Sequence, residues 1–240
     1  MHSPSLISAE HYFAYSRPLT TYYVAHKINR EGLFIADNSF YKNYDVKIEL
    51  GKRAVGIDKT KQIVYFEDDT VVEYDNLLIA SGSIADYPDN VDNDAVRFVS
   101  ILRTIDDAEK IIALSKSTKE IVILGVGLVS LQVADASKKN SVTVTFVVGS
   151  KQILSKNIDV DCAKIIQKRL EARGLLFLFH REVSAIRTKD SKACVITNRG
   201  EELLTDLVVV KGIRPNTELL TNTGIHMSGE YWWTNSRGQT

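Results

Sequence analysis

Cysteine is scarce in this chain of 240 residues. There are two, Cys162 and Cys194, far apart and outside any C-x-x-C pairing. No redox-active dithiol can be built from them, and both read as small core residues in a reducing cytoplasm. Net charge is missing as well. Thirty basic residues balance thirty acidic ones, which argues against a nucleic acid or membrane surface recruited by bulk charge. No apolar run reaches the roughly 18 residues of a membrane span. The opening MHSPSLISAEHYFAYSRPL lacks the basic-then-apolar layout of a signal peptide, so the expected location is the cytoplasm. The five histidines show no metal-ligand spacing, and no metal site is expected. No Ser-His-Asp or Cys-His constellation can be assembled, and no catalytic acid or base stands out.

The composition, 44% hydrophobic and 25% charged, suits one or two soluble domains with a sizeable core. After a mixed, aromatic-rich start, VKIEL (46–50), RAVGID (53–58), QIVYFE (62–67) and TVVEY (70–74) alternate in period two and predict a β-meander. DKTK and EDD between them suit hairpin turns. NLLIA (76–80) predicts a buried strand. From Thr104 the pattern changes. Thr104 and Asp107 form a T-x-x-D start signal before the amphipathic DAEKIIALSK. IVILG, VTVTFVV and LLFLF then predict strands. They alternate with helices over LVSLQVADASKK and DVDCAKIIQKRLEARG, the second started by Asp159 and stopped by Gly174. EVSAIRT, ACVITN and DLVVVKG predict further strands. Alternating strands and helices between 120 and 179 imply βαβ crossovers and a parallel sheet.

One turn in this region carries chemistry. Gly125, Val126, Gly127, Leu128, Val129 and Ser130 fit two of the three glycines of G-x-G-x-x-G, at a strand end and a helix start. The first glycine permits the tight turn, and the second lets backbone approach a pyrophosphate. The third, here replaced by small Ser130, serves helix–strand packing. The helix N-terminus offers free N–H groups to phosphate. A ribose-binding carboxylate belongs about 20 residues on, but that position is Val148, followed by Gly149, Ser150 and Lys151. The missing carboxylate weakens the case for NAD in particular, and NAD and NADP both remain open. Lys151 is a candidate for the 2′-phosphate of NADP, or a solvated loop lysine. Tyr23 and Lys27 spell Y-x-x-x-K, read as chance because they precede the glycine turn. His180 and His226 read as surface or strand-end residues.

Taken in order, ISAEHYFAYSRPLTTYYVAHK, YDNLLIASGS, LRTIDDAEKI, IVILGVGLVSLQVA and DLVVVKGIRPNTELL resemble segments of the FAD-dependent pyridine nucleotide-disulfide oxidoreductase family. Within it the segments most resemble the rubredoxin reductases and the FAD-binding part of NADH-dependent nitrite reductases. The resemblance implies an α/β fold, with a Rossmann-like NAD(P)-binding domain inserted in an incomplete FAD-binding domain that carries the β-meander. Its expected bounds are 1–102 for the partial FAD domain, 103–220 for the NAD(P) domain and 221–240 for the return to the FAD domain. The family's FAD turn, another G-x-G-x-x-G, has no counterpart here, and the family's GD-containing strand follows the region resembling Gln239-Thr240. The chain is therefore expected to be truncated at both ends, and to hold FAD poorly by itself.

By the same resemblance Arg17 and Pro18 lie along the flavin ring, Ala54 on the adenine side, and Ser81, Gly82 and Ser83 in a small-residue turn near FAD. Arg103 lines FAD. Gly125, Gly127, Leu128 and Val129 form the NAD(P) turn, and Gly212 lies near the nicotinamide. Gln132 replaces a usual glutamate. The lack of an active-site cysteine in the opening segment argues against the peroxidase, NADH-oxidase and coenzyme A-disulfide reductase branches. Two functions follow. One is a reductase passing hydride from NAD(P)H to FAD and electrons onward to a redox carrier protein or fused centre. The other is a non-catalytic NAD(P)-binding module, or remnant, that needs another polypeptide to hold FAD.

Overall fold

A computed structural model describes residues 3–137, 142–210, 212–221, 223–229, 231–232 and 234–239. The chain divides into two compact units. One comprises residues 1–16, 34–84 and 213–240, the other residues 17–33 and 85–212.

The second unit is built on a parallel sheet. In chain order its elements are β1 (Val99–Ile101), α1 (Ile105–Ser115), β2 (Glu120–Leu124), α2 (Leu128–Ser137), β3 (Thr143–Val148), α3 (Val160–Ala172), β4 (Leu175–Phe179), β5 (Val183–Lys189), β6 (Lys192–Thr197), β7 (Glu202–Thr205) and β8 (Leu207–Val210). The five sheet strands lie in the order β4-β3-β2-β8-β1, every neighbouring pair parallel. From β2 the chain steps outward through β3 and β4. The late strand β8 fills the other side and separates β2 from β1. The crevice at the carboxyl ends of β2 and β8 is thus the topological switch point, where open α/β sheets take their ligands.

Period two explains the layers. Ile121 and Ile123 of β2, Val144, Phe146 and Val148 of β3, and Leu207 and Val209 of β8 face one side. They pack there against Val133 and Ala134 of α2 and Ala163 of α3. The intervening residues Val122, Val147, Val208 and Val210 face the other side, where Ile186, Ala193 and Val195 cover them. Those three belong to the antiparallel meander β5-β6-β7. Strands sandwiched this way are apolar on both faces. A third cluster joins Val24 to Ala108 and Ile111 of α1, so the short helix Thr20–Val24 packs on the helix layer.

The helix signals act as expected. Thr104 accepts from the Asp107 N–H while the Asp107 side chain accepts from the Thr104 N–H, a complete capping box. Asp159 caps α3, and Gly174 ends it with φ +76°. Lys138 and Lys139, in the expected tail of α2, lie outside the described residues.

The first unit carries smaller sheets. Ala54–Asp58, Ile63–Phe66 and Val71–Glu73 form the antiparallel meander. The run at 46–50 was expected to join it. Instead Lys47–Leu50 pairs in parallel with Ser5–Ser8, because the residues after Leu50 turn away through Gly51, whose φ is +73°. The buried strand expected at 76–80 is also not found. The segment lies outside the described strands, and Leu78 is 90% exposed. Apolar β-forming residues make a strand only beside a ladder partner, and no described strand pairs with this run. Nor are both cysteines core residues. Cys194 is buried, but Cys162 is exposed, since in the first turn of α3 it is Ala163 that faces the sheet.

Phe146 is fully buried and stacks on Phe177 with ring centroids 4.9 Å apart. Phe146→Ala is expected to lower unfolding free energy by about 3–5 kcal/mol in a denaturant titration.

Candidate functional site

β2 ends at Leu124, and the next three residues turn the chain into α2. Gly125 holds φ +81°, a backbone shape that costs an L side chain roughly 1–2 kcal/mol. Its N–H donates to the Val147 carbonyl at 2.8 Å, which extends the β2–β3 ladder by one bond before the turn. A Cβ built on Gly125 would meet no atom within 4 Å. The turn therefore presents bare backbone to open space, as close approach of a pyrophosphate requires. Val126 is buried in the helix-side core, and its carbonyl accepts from the Leu154 N–H at 3.2 Å. Gly127 is buried, and its carbonyl accepts the Leu131 N–H at 3.0 Å.

Gly127 thus stands where a helix cap stands, but it has no side chain to satisfy the first N–H groups. The first turn of α2 holds no acidic residue either. This leaves the positive end of a 10-residue helix to meet an anion from outside. Leu128 and Val129 are exposed. Ser130 is 1% exposed, and its hydroxyl has no hydrogen-bond partner among the described residues. The turn from Gly125 to Ser130 fits a dinucleotide phosphate by its shape and its donors.

The other expected residues fall into local groups. In the second unit the Arg17 Nη1 donates to the Arg103 carbonyl at 2.8 Å, with Pro18 in the same short 3-10 turn. Gly212 also lies there. A Cβ on it would come within 2.7 Å of the Asp86 Cβ and 3.0 Å of the Asp86 carbonyl oxygen. The Asp86 N–H donates to the Gly212 carbonyl at 2.8 Å. Close backbone approach therefore demands glycine at 212. In the first unit the Ser81 hydroxyl donates to the Asn216 carbonyl at 2.8 Å, and the Asn216 N–H donates to the Gly82 carbonyl at 3.0 Å. Gly82 has φ +67°, and Ser83 opens the strand that follows. Ala54 stands apart, at the start of the meander. Lys27 pairs with Asp135 at 3.6 Å, and Tyr23 packs against the third cluster. Burial raises the Tyr23 pKa, so Y-x-x-x-K here is packing.

The end of β3 holds a feature that spacing does not reveal. Val148 is buried toward the helices, and Gly149 beside it is exposed. A Cβ on Gly149 would lie 3.7 Å from Cγ and Oε1 of Glu182, a residue 33 positions away in sequence. Next to Glu182, Arg181 is fully engaged. Its Nε and Nη2 donate to Glu201 at 2.6 and 2.8 Å, and its Nη1 donates to the Phe179 carbonyl at 3.0 Å. The Thr197 hydroxyl adds a bond of 2.7 Å to Glu201. These bonds, Arg181's first, lower the Glu201 pKa from 4.5 to about 2.

The sequence pattern of the family described as "Pyridine nucleotide-disulphide oxidoreductase" matches residues 2–240. The rubredoxin-NAD(+) reductase of Pseudomonas putida is 26% identical over 227 residues, covering 93% of this chain and 58% of the relative. The rhodocoxin reductase of Rhodococcus erythropolis is 29% identical over 224 residues, covering 92% and 52%. A crystal structure of a ferredoxin reductase from Rhodopseudomonas palustris superposes with TM-score 0.87 at 22% identity, over 94% of this chain and 56% of that one. That likeness is one of fold. The chain spans about half the length of the relatives it matches.

Two outcomes are expected from this geometry. Gly125→Ala should cost about 1–2 kcal/mol in chemical unfolding, from its positive φ alone, since the space around it is open. The Glu201 carboxylate should titrate by NMR near pH 2. A depressed folded pKa means its contribution to stability is full above the ordinary carboxylate range and is lost as pH falls from about 4.5 through about 2. Arg181→Ala should return the midpoint toward 4.5.

Proposed function

We propose that this chain, which belongs to the pyridine nucleotide-disulphide oxidoreductase family, binds NAD(P)H at the turn from Gly125 to Ser130. In this reading it is the dinucleotide-binding portion of an NAD(P)H-dependent flavoprotein reductase that passes hydride to FAD and electrons onward to a redox carrier. The observation that carries it is the turn itself: a left-handed Gly125 in open space, at the switch point of a parallel sheet, leading into an uncapped helix.

When bound, the nicotinamide and flavin supply the redox chemistry, and the protein supplies binding and orientation. Backbone N–H groups of Leu128, Val129 and Ser130 would hold the pyrophosphate. Lys151, exposed on the loop after β3, is available for a charged group on the adenosine side. Gly212 would shape the nicotinamide end. Arg17, Pro18, Ala54, Ser81, Gly82, Ser83 and Arg103 are the residues proposed to face FAD. The redox-carrier role draws support from relatives named for rubredoxin and rhodocoxin. No described helix is long and apolar enough to cross a membrane.

One observation favours a second reading, in which the chain binds NAD(P)H but needs another polypeptide to hold FAD. The apolar run at 76–80 has no ladder partner among the described residues, and Leu78 is bare.

Calorimetry with NADH and NADPH tests the first step, and the visible spectrum of the purified chain separates the two readings. Binding of either dinucleotide is expected. A chain that binds neither overturns the proposal. A stoichiometric flavin band would exclude the second reading. Leu128→Asp probes the helix end directly. The new carboxylate favours the helix by roughly 0.3–1 kcal/mol through the dipole, yet should weaken dinucleotide binding about tenfold by repelling pyrophosphate.

A further inference from the structure

The glycine turn accounts for the pyrophosphate but not for the adenosine ribose. The position that ought to hold it carries Val148, which is buried and faces the helices. The register explains what stands there instead. β3 and β4 end level, with Val148 opposite Phe179. His180 then turns the chain with φ +54°, and the Arg181 N–H donates to the Val148 carbonyl at 3.1 Å. This sets Glu182 against Gly149, the residue without a side chain. Cγ and Oε1 of Glu182 lie 3.7 Å from where a Gly149 Cβ would be.

The Glu182 backbone is fixed on both sides. Its N–H donates to the Asn198 Oδ1 at 3.2 Å, and its carbonyl accepts the Asn198 N–H at 2.8 Å. Its carboxylate has no hydrogen-bond or ion-pair partner among the described residues. The neighbouring cation Arg181 is engaged by Glu201. Glu182 is exposed, so its charge is solvated until a ligand arrives.

We propose that Glu182 selects the dinucleotide. Its carboxylate, delivered from the end of β4 across Gly149, accepts hydrogen bonds from the adenosine ribose hydroxyls of NAD(H) and repels the 2′-phosphate of NADP(H). An ionised carboxylate is acceptor-only, so it suits paired hydroxyls and opposes a phosphate. A carboxylate usually carried by the second strand is thereby supplied by a neighbouring one, and Gly149 leaves the room for it. On this assignment Lys151 is a solvated loop residue. The inference rests on the reading that the turn at Gly125 holds the pyrophosphate.

The test is calorimetry on the full chain with four probes: NADH, NADPH, ADP-ribose and 2′-phospho-ADP-ribose. Wild type, Glu182→Gln and Lys151→Ala are compared. Wild type is expected to favour NADH. Glu182→Gln, which removes the charge where no other side chain depends on it, should weaken NADH by about tenfold and leave NADPH equal or tighter. ADP-ribose should follow NADH and 2′-phospho-ADP-ribose should follow NADPH, which locates the effect at the adenosine end. Lys151→Ala should leave the preference unchanged. If NADH binds and its preference over NADPH survives Glu182→Gln, this assignment falls and the turn reading stands. The assignment falls in the same way if wild type favours NADPH, or if only Lys151→Ala moves the preference. If none of the four probes binds wild type, both fall.

Discussion

The chain leaves a parallel strand and enters a helix within three residues, and it does so through a backbone shape that L side chains resist. Here the passage is at Gly125, with φ +81°, and much of the second unit depends on it. The turn lets the Gly125 N–H keep the β2–β3 ladder intact to its last rung. It sends Val126 down into the helix-side core and brings Val133 and Ala134 of α2 over Ile121 and Ile123. The same geometry aims the helix N-terminus at the carboxyl edge of the sheet. Strand pairing, core packing and the placement of the helix end thus follow from one torsion angle.

Charge is arranged with the same economy. The chain has no net charge, and its ions are neutralised locally. Lys192 lies between Glu120 and Asp206 and ties β6 to the foot of the sheet. Asp135 serves Lys27 and Arg173. Arg181 takes Glu201 in a two-pronged contact, the geometry in which guanidinium and carboxylate bind most firmly. Such exposed pairs contribute little to stability singly. Of the three, the Arg181–Glu201 contact stands beside the carboxyl ends of β3 and β4.

The sequence made the second unit legible where period and punctuation agree. β2, α2, β3, α3 and β4 could be read because apolar runs of strand length alternate with amphipathic helices, and because Thr104, Asp159 and Gly174 mark helix ends by chemistry local to themselves. The glycine turn was legible for the same reason: its residues are consecutive. What pairs with what was less so. The run at 46–50 has the alternation of a meander strand, yet its partner is Ser5–Ser8, and period two does not specify a neighbour. NLLIA reads as strand by composition, but a ladder has two sides and composition describes one. The juxtaposition of Glu182 with Gly149 was beyond reach for a further reason. It arises from the level ends of β3 and β4, and no local spacing encodes it. The pairing of those two strands must be established before the two residues can be placed side by side.

The two units differ in how much of their own burial they supply. The second closes three apolar clusters upon itself, with Phe146, Ile123, Ile186 and Leu207 out of water. The first has strands of two to five residues and leaves Ile35, Tyr44 and Leu78 largely exposed. Short strands with little covered apolar surface contribute little stability of their own. The residues proposed for the dinucleotide, from Gly125 to Ser130 with Glu182 and Gly212, all belong to the second unit. Those assigned to the flavin are divided: Arg17, Pro18 and Arg103 in the second unit, and Ala54, Ser81, Gly82 and Ser83 in the first. The proposed dinucleotide contacts therefore lie within one unit that has its own apolar core.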